Sequence, residues 1–176
     1  PQKIKEHLIG LSVQDRFPLL KGFNGTPNSN ESYLLLSKYD GDSREGIVEL
    51  VDLTNFKVLH TWNPDIDAFN KSVGKNDEFE SLDRDKNNSR MRLTHPILLN
   101  DGGLVFQNKS PLIKIDSCSN LIFQNTHDLF HHSIETDIAG NIWVPSHMYQ
   151  QSLPMRKVGR DTISEGGYYD DGIVKL

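Results

Sequence analysis

A repeated strand–turn–strand pattern constrains the fold of this chain more than any other feature. Val48–Asp52 is followed after four residues by Lys57–Leu59, and Leu112–Asp116 is followed after four residues by Leu121–Phe123. Gly172–Leu176 would begin a third copy. Apolar and β-branched residues dominate these runs and turn-forming residues separate them, so each copy predicts a hairpin of two short strands.

A second kind of hairpin alternates with the first. His95 to Phe106 resembles His132 to Val144, and both segments contain glycine-rich turns, Asn100–Gly103 and Ala139–Asn141. Two alternating hairpins make four short antiparallel strands, which is one blade of a β-propeller. We therefore predict an all-β fold with two to three four-stranded antiparallel blades. A β-sandwich would also have many short strands, but it would not show this alternation.

The domain expected from this pattern is a single partial β-propeller over residues 1–176. Residues 1–32 are weakly patterned and predict an irregular lead-in, while residues 33–176 hold the blades. The copies recur only every 60 residues or so, which predicts long insertions between hairpins. The chain lacks an initial methionine, ends within a predicted strand and has too few blades to close a ring. These features predict a fragment of a longer protein.

Three other segments have less regular patterns. Ile66 and Phe69 follow Asn63–Pro64–Asp65 and predict a short helix or turn. Lys75–Arg90 mixes charges of both signs and predicts a solvated loop. The stretch from Tyr149 to Asp171 has little pattern.

Composition excludes several classes of protein. A formal net charge of −5, without a basic stripe, argues against a nucleic-acid partner. No apolar run approaches the roughly 20 residues of a membrane-spanning helix. The single cysteine, Cys118, excludes an internal disulfide and leaves the compartment open.

Histidines are concentrated around the second hairpin, since four of the seven fall between residues 127 and 147. Neighbouring side chains in a strand point to opposite faces, so at most one of His131 and His132 is expected to face a shared site. A metal site is the alternative interpretation, with His131, His147 and either Glu135 or Asp128 as ligands. That spacing matches no specific ligand motif.

Other motifs favour structural roles or exclude chemistry. His60 and Trp62 are expected to be structural, and Trp143 is expected to lie in a core between blades. Gly166–Gly167 lacks the strand and helix of a phosphate-binding loop. No GxSxG nucleophile elbow occurs, which leaves a Ser-His-Asp hydrolase unsupported.

Two pairs of segments resemble the arylsulfotransferase β-propeller family, which includes bacterial arylsulfate sulfotransferases and marine bacterial relatives. The pairs are GIVELVDLTNFKVLHTW with THPILLNDGGLVF, and SPLIKIDSCSNLIF with FHHSIETDIAGNIWVPSH. The resemblance covers Tyr33 to Leu176, and residues 51–62 and 131–147 are its most specific parts. It implies a six-bladed propeller, exported to the periplasm or anchored outside the cytoplasm. It also implies transfer of a sulfuryl group from an aryl sulfate to a phenol through a sulfated histidine.

The resemblance also implies site residues. Histidines at the inner ends of blade strands match His95 and His131 or His132. Ser133 stands where the family has an asparagine and His147 where it has an arginine, and the family nucleophile belongs to a later blade. The catalytic candidates are His95, His131, His132 and His147, with Arg92, Lys109 and Ser133 as substrate-binding candidates. This chemistry needs no metal and no cofactor.

Histidine suits such a reaction because a neutral imidazole nitrogen attacks without first losing a proton. Cationic groups nearby would stabilise the charge on the transferred group, as in phosphoryl transfer. Arg92 or Lys109 would supply that charge. The alternative function is a non-catalytic propeller that binds small molecules or glycans, or serves as a scaffold.

Overall fold

The computed structural model describes residues 22–74, 82–148, 151–152, 155–158, 161–164 and 170–176. These residues are mostly β-strand with two short helices, which confirms the all-β prediction. The elements in chain order are β1 Tyr33–Asp40, β2 Glu45–Asp52, β3 Lys57–Trp62, α1 Ile66–Asn70, α2 Leu82–Asp85, β4 Thr94–Leu98, β5 Leu104–Gln107, β6 Leu112–Ile115, β7 Leu121–Asn125, β8 Leu129–Phe130, β9 Glu135–Thr136, β10 Ile142–His147, β11 Met155–Val158, β12 Asp161–Ser164 and β13 Asp171–Lys175.

Three antiparallel sheets follow one another along the described chain. The first has the order β1–β2–β3, and the second has four consecutive strands in the order β4–β5–β6–β7. The third has the order β13–β10–β8, with β9 also paired to β10. Strands β11 and β12 form a separate hairpin. That hairpin lies in the stretch after Tyr149, where the sequence showed little pattern.

The middle sheet is buried on both faces. Its core towards the first sheet joins these side chains: Leu104, Phe106, Ile113 and Ile115 with Val48 and Trp62. Its core towards the third sheet joins another set: Val105 and Leu112 with Phe130, Ile134, Ile142 and Val144. Successive residues of a strand face opposite ways, so alternate positions of β5 serve two different cores. Burying each large apolar side chain stabilises the fold by about 1.5–3 kcal/mol.

Aspartates close five of the hairpin turns among the described residues in the same way. Each carboxylate accepts a hydrogen bond from the backbone N–H two residues later, at 2.8–2.9 Å: Asp40 from Asp42, Asp52 from Thr54, Asp101 from Gly103, Asp116 from Cys118 and Asp137 from Ala139. This local bond is why aspartate favours turns. Glycine is also required at position 103 for steric reasons, because a Cβ there would lie 2.4 Å from the Ile115 carbonyl oxygen.

The short helix predicted around Ile66 is present as α1. The Asp65 side chain caps it by accepting a hydrogen bond from Ala68 N at 3.0 Å, and Ile66 and Phe69 are buried. The solvated-loop prediction for Lys75–Arg90 is wrong for residues 82–85, whereas residues 86–90 form turns and bends that are exposed or half-buried. Residues 82–85 form α2, and the Leu82 side chain is buried against the rest of the protein. Residues 75–81 lie outside the described residues.

Two of the three aromatic and histidine predictions away from the site are confirmed. Trp62 is buried and its Nε1 donates to the Gly102 carbonyl at 3.1 Å, while His60 Nε2 lies 2.8 Å from the Ser117 carbonyl oxygen. Both contacts tie the first sheet to turns of the second. Trp143 is not a core residue as predicted, because it is half-exposed and donates through Nε1 to Asp137 at 3.0 Å.

In the part of the chain that the structure describes, neither helix has the length or apolar character needed to cross a membrane.

Candidate functional site

The two adjacent histidines after β8 lie side by side. His131 continues the pairing with β10 through its backbone N–H, which donates to the Pro145 carbonyl at 3.1 Å. His132 then adopts a positive φ of 56°, which ends the strand geometry. The two ring centroids are therefore 4.7 Å apart, in an edge-to-face arrangement. The premise that these two rings point to opposite faces does not hold, because side-chain alternation applies only within a regular strand.

His147 and Asp171 complete the cluster from neighbouring strands. They pair directly across β10 and β13, where each strand meets its connecting segment. Asp171 Oδ1 lies 2.6 Å from His147 Nδ1 and 3.1 Å from His131 Nε2. The His131 and His147 rings are stacked with centroids 4.3 Å apart. We call His131, His132, His147 and Asp171 the histidine cluster.

The environment sets the protonation of the cluster. Burial lowers the pKa of His131, and repulsion from His147 lowers it further, against the opposing pull of Asp171. The hydrogen bond from His147 lowers the pKa of Asp171. Asp171 is therefore a carboxylate at neutral pH and can only accept hydrogen bonds. Each ring nitrogen that contacts it must carry a proton.

This arrangement leaves an unpaired atom inside the protein. His131 is only 9 % exposed. Its Nδ1 is buried without a hydrogen-bond partner in the described part of the chain. With the proton on Nε2, Nδ1 of the neutral ring carries a lone pair that nothing described satisfies.

A buried glutamine of the middle sheet holds the backbone of the cluster through hydrogen bonds. Gln107, at the end of β5, is 1 % exposed. Its Nε2 donates to the carbonyl oxygens of His131 at 3.1 Å and of His132 at 2.7 Å. The middle sheet thus positions the two histidines through their backbone, which leaves their rings available to the cluster.

Three members of the cluster can also act as metal ligands. One ligand atom each from His131, His147 and Asp171 can be chosen so that all three lie within 4.8 Å of one another. The carboxylate is neither of the two proposed from the sequence. Asp128 Oδ2 instead accepts a hydrogen bond from Asn125 at 3.3 Å, and Glu135 is exposed on β9.

Two other candidate residues lie in a separate cleft. Arg92 and His95 line a cleft of about 430 Å³ together with Lys38, Tyr39 and other residues of β1 and β4. His95 has a positive φ of 48°, similar to that of His132. Among the described contacts, no hydrogen bond or ring contact joins His95 to the histidine cluster. The structure therefore does not bring His95 into the ring of histidines expected from the sequence.

The remaining two candidates lie in connections between strands. Lys109 is exposed in the β5–β6 connection, and Ser133 is half-buried just after His132. Neither makes a hydrogen bond or ion pair with the cluster among the described contacts. Their assignment as substrate-binding residues stays a prediction.

Asp171 is the residue that sequence reasoning missed. The pattern placed a strand at Gly172–Leu176, and β13 begins one residue earlier, at Asp171. The available signal was the repeat, because β13 follows β10 as β6 follows β5, and β5 pairs with β6. Extending the pairing by one residue would have placed Asp171 opposite His147.

Comparison of the chain with protein-family models, with curated proteins and with solved structures found no match.

Proposed function

We propose that this chain is part of a β-propeller whose histidine cluster transfers a sulfuryl group from an aryl sulfate to a phenol. The stacking of three antiparallel sheets in chain order supports the propeller, because successive blades of a propeller pack face to face. The resemblance of residues 33–176 to arylsulfotransferases supports the six-bladed form and a location outside the cytoplasm.

The observation that carries the proposed activity is the convergence of three imidazoles, two of which contact the same carboxylate. Asp171 orients His131 and His147 through its Oδ1, and His131 in turn contacts the His132 ring. A carboxylate that fixes an imidazole's orientation and tautomer is a recurrent device of histidine catalysis. Burial also excludes water from one side of the cluster, which strengthens its electrostatic effects.

His132 is the residue we assign as nucleophile, which departs from the family pattern of a nucleophile in a later blade. It is exposed, whereas the Nδ1 lone pair of His131 is buried and out of reach of a substrate. A neutral His132 nitrogen forms a bond to sulfur as the bond from sulfur to the aryl oxygen breaks. The phenoxide leaves and takes up a proton. The acceptor phenol then attacks sulfur, loses its proton and releases the imidazole.

His131 and His147 position the nucleophile in this scheme. Their ring N–H groups donate to Asp171, which fixes both rings, and the His131 ring lies edge to face against the His132 ring with centroids 4.7 Å apart. Asp171 acts as a positioning residue, because its carboxylate holds both rings and has no bond to make with the substrate.

The test is release of 4-nitrophenolate from 4-nitrophenyl sulfate in the presence of a phenol. We expect His132→Ala to reduce turnover to below about one-hundredth of the wild-type rate. Quenched protein should carry the sulfuryl group on the peptide that contains His132. His127→Ala is the matched control, because His127 is exposed outside the cluster.

Two outcomes would contradict the proposal. One is the absence of turnover in the folded wild-type protein, which would favour the non-catalytic binding function. The other is equal turnover in His132→Ala and His127→Ala, which would show that His132 is not the nucleophile.

A further inference from the structure

We propose that His131, His147 and Asp171 form a binding site for a divalent transition-metal ion, with zinc as the ion that best fits these ligands. The three residues come from three separate segments and converge at one end of the third sheet. Two imidazoles and one carboxylate form a ligand set that zinc and other first-row metals use in proteins.

The spacing of the ligand atoms suits an ion. Zinc binds histidine nitrogen and carboxylate oxygen at about 2.0–2.2 Å, so neighbouring ligands of a tetrahedral site lie roughly 3.3 Å apart. Asp171 Oδ1 already lies 3.1 Å from His131 Nε2 and 2.6 Å from His147 Nδ1. The ion would replace the two protons that now lie between these atoms, with small side-chain shifts.

Metal binding would also change the tautomer of His131. With Nε2 bound to the ion, the ring proton moves to Nδ1, which becomes a donor. Gln107 Oε1 is a buried acceptor that likewise has no partner among the described residues. In the metal-free tautomer His131 Nδ1 and Gln107 Oε1 are both buried acceptors without a described partner, whereas in the metal-bound tautomer Nδ1 is a donor. A hydrogen bond from the second ring nitrogen commonly holds a metal-ligating histidine.

The degree of exposure indicates an open site. His131 is largely buried, while the side chains of His147 and Asp171 are 31 % and 52 % exposed. Three protein ligands with one side open to solvent resemble catalytic zinc sites, in which water or substrate takes the fourth position. If the proposed sulfuryl transfer is correct, on which this step rests, the fourth ligand would be a sulfuryl oxygen of a substrate bound beside His132.

The test is a titration of the chelator-treated protein with Co²⁺, followed by competition with Zn²⁺. We expect one site per chain, with a visible absorption band typical of bound cobalt that zinc abolishes. His147→Ala and Asp171→Ala should each weaken binding at least about tenfold. His127→Ala is the control and should bind as the wild type does. Circular dichroism of each variant shows whether it is folded.

The results separate this inference from the proposed function. The metal site is refuted if the folded wild type binds no Co²⁺, or if both ligand variants bind it as tightly as His127→Ala does. Turnover of 4-nitrophenyl sulfate is measured on the same metal-free and zinc-loaded samples. Turnover without site-specific metal binding would refute the metal site and support the proposed enzyme activity. Metal binding without turnover would support the metal site and refute the proposed activity.

Discussion

The β4–β5 hairpin and the β8–β10 hairpin are built alike, yet only the second gathers reactive side chains. In the first, Thr94 pairs with Gln107, and in the second the His131 N–H bonds to the Pro145 carbonyl. The next residue in each case is a histidine with positive φ, at 48° for His95 and 56° for His132. The backbone thus leaves the extended conformation at the matching position in both hairpins, and in the first the strand pairing resumes at Ile97.

The difference lies in what the side chains at matching positions do. Thr94 Oγ1 donates to the Gln107 carbonyl, and the Ser110 hydroxyl donates to the Asp128 carbonyl while accepting from Phe130 N at 2.6 Å. These hydroxyls hold the backbone together. The positions that correspond to Thr94 and Ser110 in the third sheet are His131 and Asp171, whose side chains bond to each other.

The sheet geometry brings the same strand ends together in both hairpins, and the side chains at those ends determine whether a site forms. The same strand ends that hold short hydroxyls against the backbone bring longer imidazoles and a carboxylate within 3.1 Å of one another. Three predictions probe how far the likeness between the two hairpins extends.

The largest expected effect concerns the two cores, one of which contains Phe106 and the other Phe130. Phe106 in the first hairpin and Phe130 in the second are 0 % and 1 % exposed. Phe106→Ala and Phe130→Ala should each lower the free energy of unfolding by about 3–5 kcal/mol, through lost burial and an unfilled cavity. Denaturant titration measures both. Ile122→Ala, at a position 56 % exposed, should change stability by less than about 0.5 kcal/mol. A near-neutral Phe130→Ala would show that the second hairpin lacks a core of its own.

The intermediate effect concerns the glutamine that joins the two hairpins. Gln107→Leu removes two hydrogen bonds to the carbonyls of His131 and His132, and should cost about 1–3 kcal/mol. Gln124→Leu is the matched substitution, because both polar atoms of the Gln124 amide are buried without partners among the described residues. That change should be neutral or stabilising, since it removes unsatisfied polar groups. Equal losses in the two variants would refute the supporting role of Gln107.

The smallest effect concerns the turn aspartates. Asp137 accepts bonds from Ala139 N, Asn141 N, Asn141 Nδ2 and Trp143 Nε1, and these bonds lower its pKa from 3.8 to about 2. Because the folded-state pKa lies below the unfolded one, the ionised carboxylate stabilises the fold above pH 4. That stability is lost as the pH falls towards 2.

The comparison of Asp137→Asn with Asp101→Asn tests this point. Asp101 accepts a single backbone bond, from Gly103, so its replacement should reduce stability less at pH 7. Unfolding free energies measured from pH 7 to pH 2 should fall less steeply for Asp137→Asn than for the wild type. A wild-type stability that does not depend on Asp137 over this range would contradict the argument.

Much of the local structure was predictable from the sequence. The strand pairs around Val48 and Leu112, the turn at Asn100–Gly103 and the short helix at Ile66 all follow from residues close together in the chain. Alternating apolar residues, turn-forming aspartates and glycines act over a few residues, so their signal survives without tertiary information. Trp62 was likewise assigned a structural role from its own segment, and it is buried.

Long-range geometry accounts for what was missed. Asp171 joins His131 and His147 from 40 and 24 residues away, through the pairing of β13 with β10, and a single sequence carries no direct signal of that contact. The approach of His131 and His132 depends on a backbone turn held by Gln107 from another sheet.

The amino-acid pattern therefore determines that this chain forms short antiparallel hairpins and that one of them carries histidines. Which carboxylate meets those histidines is set by strand pairing between distant segments, and so is the separation of His95 into another cleft. Local hydrogen bonding and side-chain alternation act between neighbours in the chain, whereas the cluster depends on packing that brings distant residues to the same strand ends.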